Sequence, residues 1–207
     1  MSTTKVNKAY FSAQFESSAS DSRQCPESIA EVAFAGRSNA GKSSAINTLT
    51  RNGKLARTSK TPGRTQLINH FSLGEGRYLV DLPGYGYAQV SKTRQKAWQR
   101  AMTHYLVSRD ALCGLVLVMD IRHPLTEADW QLIEIQQQGE SGLHILLTKA
   151  DKLSRSQASR AIVGVQKELE EGGVEATLQM FSALKASGVE DTHAVLDNWL
   201  FGIPLPE

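Results

Sequence analysis

The stretch that decides the fold reads Gly36-Arg37-Ser38-Asn39-Ala40-Gly41-Lys42-Ser43. It follows a short apolar segment, residues 29–35, and precedes a helical pattern that continues to about residue 49. The two glycines allow the backbone to turn its N–H groups inward around a phosphate. Lys42 adds charge at the β- and γ-phosphates, and the Ser43 hydroxyl is an oxygen ligand of the kind that Mg²⁺ prefers. The pattern predicts a phosphate-binding loop at a helix N-terminus.

A second motif, Asp81-Leu82-Pro83-Gly84, stands at the end of a predicted strand. We expect Asp81 to hold Mg²⁺ through a water molecule. The Gly84 N–H is placed to reach the γ-phosphate and so to sense whether it is present. Taken alone, such a segment is as well explained by an ordinary turn after a strand.

Two later strand ends predict recognition of the base. A carboxylate at Asp151 accepts hydrogen bonds from guanine N1–H and the exocyclic amine, whereas adenine has no matching donor pair on that edge. The stem of Lys149 is expected to lie along the base, and the Ala183 N–H to donate to guanine O6. The predicted base-binding residues are Thr148, Lys149, Ala150, Asp151, Phe181, Ser182 and Ala183.

A basic loop containing Thr61-Pro62-Gly63-Arg64-Thr65 lies between the first two motifs. A hydroxyl in this loop can complete the Mg²⁺ shell when the γ-phosphate is present. Spacing alone does not choose between Thr61 and Thr65.

Strand and helix patterns alternate along residues 29–207 and predict one α/β domain. We expect a three-layer architecture, with a mixed, mostly parallel sheet of six strands and helices on both faces. A Gly74-Glu75-Gly76 turn predicts one antiparallel pair. Residues 1–28 carry no sustained periodicity and are predicted to be an N-terminal extension, docked by Tyr10, Phe11 and Phe15.

Charge is distributed unevenly along the 207 residues, although the net charge is only +2. Residues 32–109 hold 13 Lys and Arg against two acids, whereas the rest holds 10 basic and 19 acidic residues. This asymmetry favours an anionic partner such as RNA over a merely solvated face. The sequence contains no apolar run of about 18 residues and no secretion signal at its start, and Cys25 and Cys113 lack metal-ligand spacing. We expect a cytoplasmic protein with reduced thiols and no membrane partner.

The five motifs occur in the order found in the translational and Ras-like GTPases. The string from Glu31 to Asn47, which includes Ala33 to Ser44, resembles the bacterial EngB (YihA/YsxC) GTPase family. Asp81-Leu82-Pro83-Gly84-Tyr85-Gly86-Tyr87-Ala88 resembles that family's switch II. Thr61 to Gln66 is similar to that family's switch I. The resemblance runs from about Tyr10 to the C-terminus. It implies a P-loop GTPase that acts in assembly of the large ribosomal subunit. It also implies a link between this GTPase and cell division and septation.

The resemblance also assigns site residues. It implies Thr65 as the switch I ligand of Mg²⁺ beside Ser43, with Asp81 behind a water. The predicted switch I contacts to GTP or GDP and its Mg²⁺ are Gly63, Arg64, Thr65, Gln66 and Leu67.

Catalysis is the least determined part of the prediction, because no general base is evident. Ras-like proteins place a Gln after the switch II glycine, where this chain has Tyr85, so we expect slow intrinsic hydrolysis that a partner accelerates. Lys42 and Asn39 are the candidates for stabilising charge. Asn39 either helps to bind K⁺ near the phosphates or only shapes the loop, and the sequence favours neither.

Three functions are compared. A GTPase directed at the ribosome or its RNA, acting as a monomer through a basic face around the switch regions, fits the charge pattern best. A signalling GTPase would act on protein partners and predicts a lipidation signal or an acidic or neutral effector face, which this sequence does not show. A kinase or ATPase would lack the guanine-reading Thr148-Lys149-Ala150-Asp151.

Overall fold

The computed structural model describes residues 7–57, 67–86 and 92–205. Within them the strands are β1 (Gln14–Ala19), β2 (Ala30–Gly36), β3 (Ile68–Gly74), β4 (Arg77–Asp81), β5 (Leu112–Asp120), β6 (Gly142–Thr148) and β7 (Thr177–Met180). The α-helices are α1 (Lys42–Leu49), α2 (Lys92–Ser108), α3 (Glu127–Gln136), α4 (Arg155–Glu171) and α5 (Val189–Phe201). Strands and helices follow one another from residue 30 onward, as the sequence pattern predicted.

One sheet joins the seven strands in the order β1-β3-β4-β2-β5-β6-β7. The four pairings from β4 through β2, β5 and β6 to β7 are parallel. The pairings β1 with β3 and β3 with β4 are antiparallel. Parallel strands present their carboxyl ends at the same edge, so the loops after β2, β4, β6 and β7 meet there.

Helices cover both faces of this sheet, as predicted. On one face, α2, α3 and α4 bury residues such as Tyr105, Leu132 and Val165 against β5 and β6. On the other face, α1 and α5 bury Ile46 and Leu196 against β2 and β5. The central strands are therefore apolar on both sides, as the unbroken burial of β2 shows. The predicted three-layer α/β fold is confirmed.

The predicted number of strands was wrong: within the described residues the sheet has seven strands, not six, and two antiparallel pairs, not one. The additional strand is β1, which lies within the predicted extension. Its sequence, QFESSA, buries only Ala19 and leaves Phe15 57% exposed, so no alternation marks it as a strand. Backbone hydrogen bonds to β3, and not burial of side chains, hold β1 in the sheet.

The N-terminal segment also docks on α5 through Tyr10. The ring of Tyr10 is fully buried and stacks on His193 with centroids 4.4 Å apart. Its hydroxyl donates to Asp197 Oδ1 at 2.8 Å. Of the three aromatic residues predicted to dock this segment, Tyr10 is buried, whereas Phe11 and Phe15 are exposed.

Further features of the fold concern a helix cap, the cysteines and two tryptophans. Thr126 caps α3 with Asp129, whose Oδ2 accepts from the Thr126 N–H at 2.8 Å. Cys25 and Cys113 are free. Trp98 and Trp130 are half-buried against the core, which agrees with a packing role. Among the described residues, no helix combines the length and the apolar character needed to cross a bilayer.

Candidate nucleotide site

The predicted phosphate loop joins the end of β2 to the start of α1. Gly36 ends the strand where a Cβ would lie 2.6 Å from the Val118 carbonyl oxygen, so a larger residue would push β2 and β5 apart. Gly41 is the N-cap of α1 and has φ +102°, a conformation that favours glycine. The loop backbone is thus held open at a helix N-terminus, where N–H groups and the helix dipole attract phosphate.

Lys42 and Asp81 meet at the centre of the site. The Lys42 ammonium forms an ion pair with Asp81 Oδ1, and the two side chains are 11% and 5% exposed. Asp81 is the last residue of β4, directly beside the loop after β2. The cation and the carboxylate that the sequence assigned to phosphate and Mg²⁺ therefore neutralise each other in this structure.

The donor types at this point fit Mg²⁺. Ser43 stands in the first turn of α1 and supplies a hydroxyl, and Asp81 supplies a nearly buried carboxylate. Both are the hard oxygen donors that Mg²⁺ takes together with phosphate oxygens and water. When bound there, the ion would neutralise charge on the β- and γ-phosphates. The predicted third residue, Thr65, lies outside the described residues.

The base motif at the end of β6 contacts the phosphate loop directly. The Thr148 hydroxyl lies within hydrogen-bonding distance of the Ala40 carbonyl oxygen and 3.0 Å from that of Met119. Lys149 has the left-handed φ of 59°, and its Nζ donates to the Asn39 carbonyl oxygen at 2.6 Å. These contacts fix the spacing between the two halves of the site.

Asp151 is oriented by the neighbouring strand end. The Ser182 hydroxyl donates to Asp151 Oδ1 at 2.6 Å, and this hydrogen bond lowers the pKa of the carboxyl. The Ala150 N–H donates to the Phe181 carbonyl oxygen at 3.1 Å, which joins the two base segments through their backbones. Ala183 follows Ser182 and is half-buried. An ionised carboxylate held in this way is suited to accept two hydrogen bonds from guanine.

Asp120 and Arg122 belong to the same cluster but were missing from the sequence prediction. Asp120 Oδ2 lies 2.9 Å from Lys149 Nζ and 2.6 Å from Arg122 Nη2. Burial raises the pKa of Asp120, but the hydrogen bonds from Arg122 and Lys149 outweigh it, so the pKa is lowered. The signal was available, because Asp120 ends an apolar strand just as Asp81 does.

The Tyr85 side chain is buried and contacts α2 and α3. The side chain is 4% exposed, and its hydroxyl donates to Asp129 Oδ1 at 2.7 Å. Burial, together with the Asp129 carboxylate, raises the pKa of this phenol well above its usual value. Trp98 packs 5.5 Å from the ring, and its Nε1 donates to the Pro83 carbonyl oxygen at 3.3 Å. The residue after Gly84 is therefore a packing residue of the core in this structure.

The remaining predicted residues fall into three groups. In the phosphate loop, Arg37 Nη2 donates to the His123 carbonyl oxygen at 3.2 Å. The Ser38 N–H donates to the Tyr85 carbonyl oxygen. Leu82 is buried and Leu67 is 40% exposed. The predicted switch I residues that lie outside the described residues are Gly63, Arg64, Thr65 and Gln66.

The structure brings four predicted segments to one edge of a mostly parallel sheet, at the carboxyl ends of β2, β4, β6 and β7. A glycine-turned loop at a helix N-terminus is suited to a polyphosphate, and the oriented carboxylate of Asp151 is suited to hydrogen bonding with guanine. Fold and site together define the class of the protein as a P-loop GTPase.

Known proteins give the family within this class. Residues 31–149 match the family described as "50S ribosome-binding GTPase". The "Probable GTP-binding protein EngB" of Methylobacillus flagellatus is 55% identical over 171 residues, which cover 83% of each chain. The chain therefore belongs to the EngB family of GTP-binding proteins. It binds GTP and GDP and hydrolyses GTP.

Solved structures show the same fold at lower identity. A probable GTP-binding protein engB superposes with a TM-score of 0.67 at 22% identity, over 84% of this chain and 100% of that one. Era from Aquifex aeolicus, bound to GDP and AlF4⁻, gives 0.59 at 16%, over 87% and 60%. The bacterial selenocysteine-specific elongation factor gives 0.61 at 19%, and the chain spans only 29% of its length.

Proposed function

We propose that this GTPase is a nucleotide-gated factor in assembly of the large ribosomal subunit, and that it binds ribosomal RNA. The observation that carries the proposal is positive charge on both segments that flank the γ-phosphate position. Arg51, Lys54 and Arg57 are exposed before the switch I loop, and Lys96 and Arg100 are exposed on α2 after switch II. Cations on segments that respond to the γ-phosphate couple nucleotide state to binding of a phosphate backbone. The matching family is described as a 50S ribosome-binding GTPase, which supports such a partner.

The site supports slow hydrolysis by the isolated protein. In Ras-like proteins the residue after the switch II glycine orients the attacking water. Here that residue is Tyr85, whose hydroxyl is committed to Asp129 at 2.7 Å inside the core. A partner that completes the site would then accelerate the reaction, which suits a factor whose release is coupled to a finished assembly step.

Mg²⁺ is part of the proposal, held by Ser43 and Thr65, with Asp81 behind a water. Asn39 has two candidate roles, which are to help bind K⁺ near the phosphates or to shape the loop. Its φ of 65° and the contact from Lys149 to its carbonyl oxygen support a loop-shaping role. Its exposed side chain leaves the amide oxygen accessible to a cation. Equal turnover in K⁺ and Na⁺ would eliminate the cation role.

We expect the protein to act as a monomer in the cytoplasm, with a link to cell division and septation. A signalling role on protein partners is the competing function. Its distinguishing property would be nucleotide-dependent binding that does not involve ribosomes.

Co-sedimentation with purified large and small ribosomal subunits tests the proposal. The protein is incubated with a non-hydrolysable GTP analogue, with GDP or without nucleotide, at several salt concentrations. Binding to the large subunit with the analogue, and release with GDP, is the expected result. Absence of binding in every nucleotide state at low salt would contradict the ribosomal function and leave the GTPase activity in place.

A further inference from the structure

Helix α2 carries basic residues and no acidic ones. Its 17 residues, Lys92–Ser108, include two lysines at its first and fifth positions, two arginines and His104, but no Asp or Glu. Helix α4 has the same length, yet it ends in a cluster of Glu168, Glu170 and Glu171. Ordinary solvated helices mix both signs, so a long helix with only positive charge requires another explanation.

The charge is organised along a groove. A shallow groove of about 440 Å³ follows α2 and is lined by Lys96, Gln99, Arg100, Thr103 and His104 among others. Lys96, Arg100 and His104 are four residues apart and therefore share one helix face, about 6 Å from one to the next along the axis. Gln99 and Thr103 add neutral donors between them. Such a row of cations and hydrogen-bond donors suits a phosphodiester chain better than a single ion.

The N-terminal segment holds one end of the groove in place. Ser22, in the turn that precedes β2, has its hydroxyl 2.6 Å from His104 Nδ1. With Nδ1 engaged, the exposed ring is fixed and its Nε2 remains for a ligand. Asp21 precedes Ser22 and is the nearest acidic residue to it along the chain. Its charge is neutralised by Arg23, whose Nη2 lies 2.9 Å from Asp21 Oδ2.

Helix α2, which carries the groove, contacts switch II in its first half, and the residue after its last one contacts the core. Trp98, on α2, donates to the Pro83 carbonyl oxygen at 3.3 Å, two residues after Asp81. One residue past the helix, Arg109 pairs with the fully buried Glu31 at 2.6 Å. A change in switch II therefore acts on the first half of the helix, while the second half stays fixed to β2.

From these contacts we propose that the α2 groove, defined by Lys96, Gln99, Arg100, Thr103 and His104, is a binding site for the phosphodiester backbone of RNA. The inference rests on the proposed ribosomal function and assigns its docking surface. Nucleotide state reaches the groove through Pro83 and Trp98, so the presence of the γ-phosphate sets the orientation of the cationic row.

The test compares two double variants of the full chain. Lys96→Ala/Arg100→Ala removes two charges from the groove, and Arg155→Ala/Arg160→Ala removes two exposed charges from α4 as the matched control. Binding to intact large subunits and to deproteinised large-subunit rRNA is measured with the GTP analogue at 0.05–0.3 M salt. GDP affinity and thermal unfolding establish that each variant is folded.

Loss of two phosphate contacts should reduce the steepness of the plot of log binding constant against log salt concentration by about 1.4–1.8. Binding should weaken roughly 25- to 60-fold at 0.1 M salt. The control should retain the wild-type slope and affinity. A wild-type slope in the groove variant would overturn the inference while the ribosomal function stands. An effect on subunits but not on free rRNA would overturn it in favour of a ribosomal protein. Absence of wild-type binding to both probes would overturn the proposed function together with the inference.

Discussion

Replacing Asp151 by Asn tests how the site reads guanine. The Ser182 hydroxyl donates to Asp151 Oδ1 at 2.6 Å and lowers its pKa, so the carboxylate is ionised at neutral pH. An ionised carboxylate has acceptors for both guanine N1–H and the exocyclic amine, in addition to Ser182. The amide of Asn keeps one acceptor oxygen, which Ser182 already contacts, and presents an NH₂ group to the base. Each hydrogen bond to a charged group contributes about 1.5–3 kcal/mol, so GDP binding should weaken roughly 10²- to 10⁴-fold.

The assay is competition against a fluorescent guanine nucleotide, using GDP, ADP and XDP. Xanthine carries a carbonyl where guanine has its amine, so D151N should gain affinity for XDP as it loses affinity for GDP. Lys152→Ala is the matched control, because the exposed Lys152 ammonium lies 3.5 Å from Asp151 and such pairs contribute little. Wild-type GDP affinity in D151N would refute the assignment of Asp151 to the base.

Two further predictions concern buried carboxylates. Asp120→Asn removes the partner of Lys149 Nζ at 2.9 Å, so GDP affinity should fall about tenfold, and a wild-type circular-dichroism spectrum checks that the variant remains folded. Glu31→Gln leaves Arg109 without its carboxylate, and the free energy of unfolding in urea should fall by about 3–5 kcal/mol. Burial raises the pKa of Glu31, but hydrogen bonds from Arg109, Ser28 and Tyr105 outweigh it, so the folded pKa is lowered. The stability that Glu31 contributes is therefore fully present above about pH 4.3 and is lost as the pH falls through the folded pKa. The difference in free energy of unfolding between the wild type and E31Q should therefore shrink on acidification.

The sequence predicted the elements from residue 29 onward because each has a local signal. The buried parallel strands are short apolar runs, and the phosphate and base motifs stand at their ends. The position of a motif at a strand end is sufficient to predict that several motifs meet, because parallel strands end at one edge of the sheet. Thus Asp81 and Asp151 were placed correctly at the same edge without any knowledge of contacts.

The contacts that the sequence did not reveal depend on tertiary approach. Strand β1 has no buried alternation and is ordered by backbone pairing with β3. The orientation of Tyr85 depends on Asp129, which lies 44 residues away. The contact between Lys149 and Asn39 joins residues 110 apart, in loops after two different strands. No local pattern encodes such pairs, although the strand-end position of Asp120 was a usable signal.

The most direct test of the account is single-turnover hydrolysis of GTP in Mg²⁺ and K⁺, measured with and without purified large ribosomal subunits. Because Tyr85 is committed to the core and no general base is present at the described part of the site, the isolated protein should turn over below about 0.01 s⁻¹. Addition of the large subunit should accelerate hydrolysis at least tenfold, and the small subunit should not. Rapid hydrolysis by the protein alone, with no response to the large subunit, would contradict the account of a slow switch completed by its ribosomal partner.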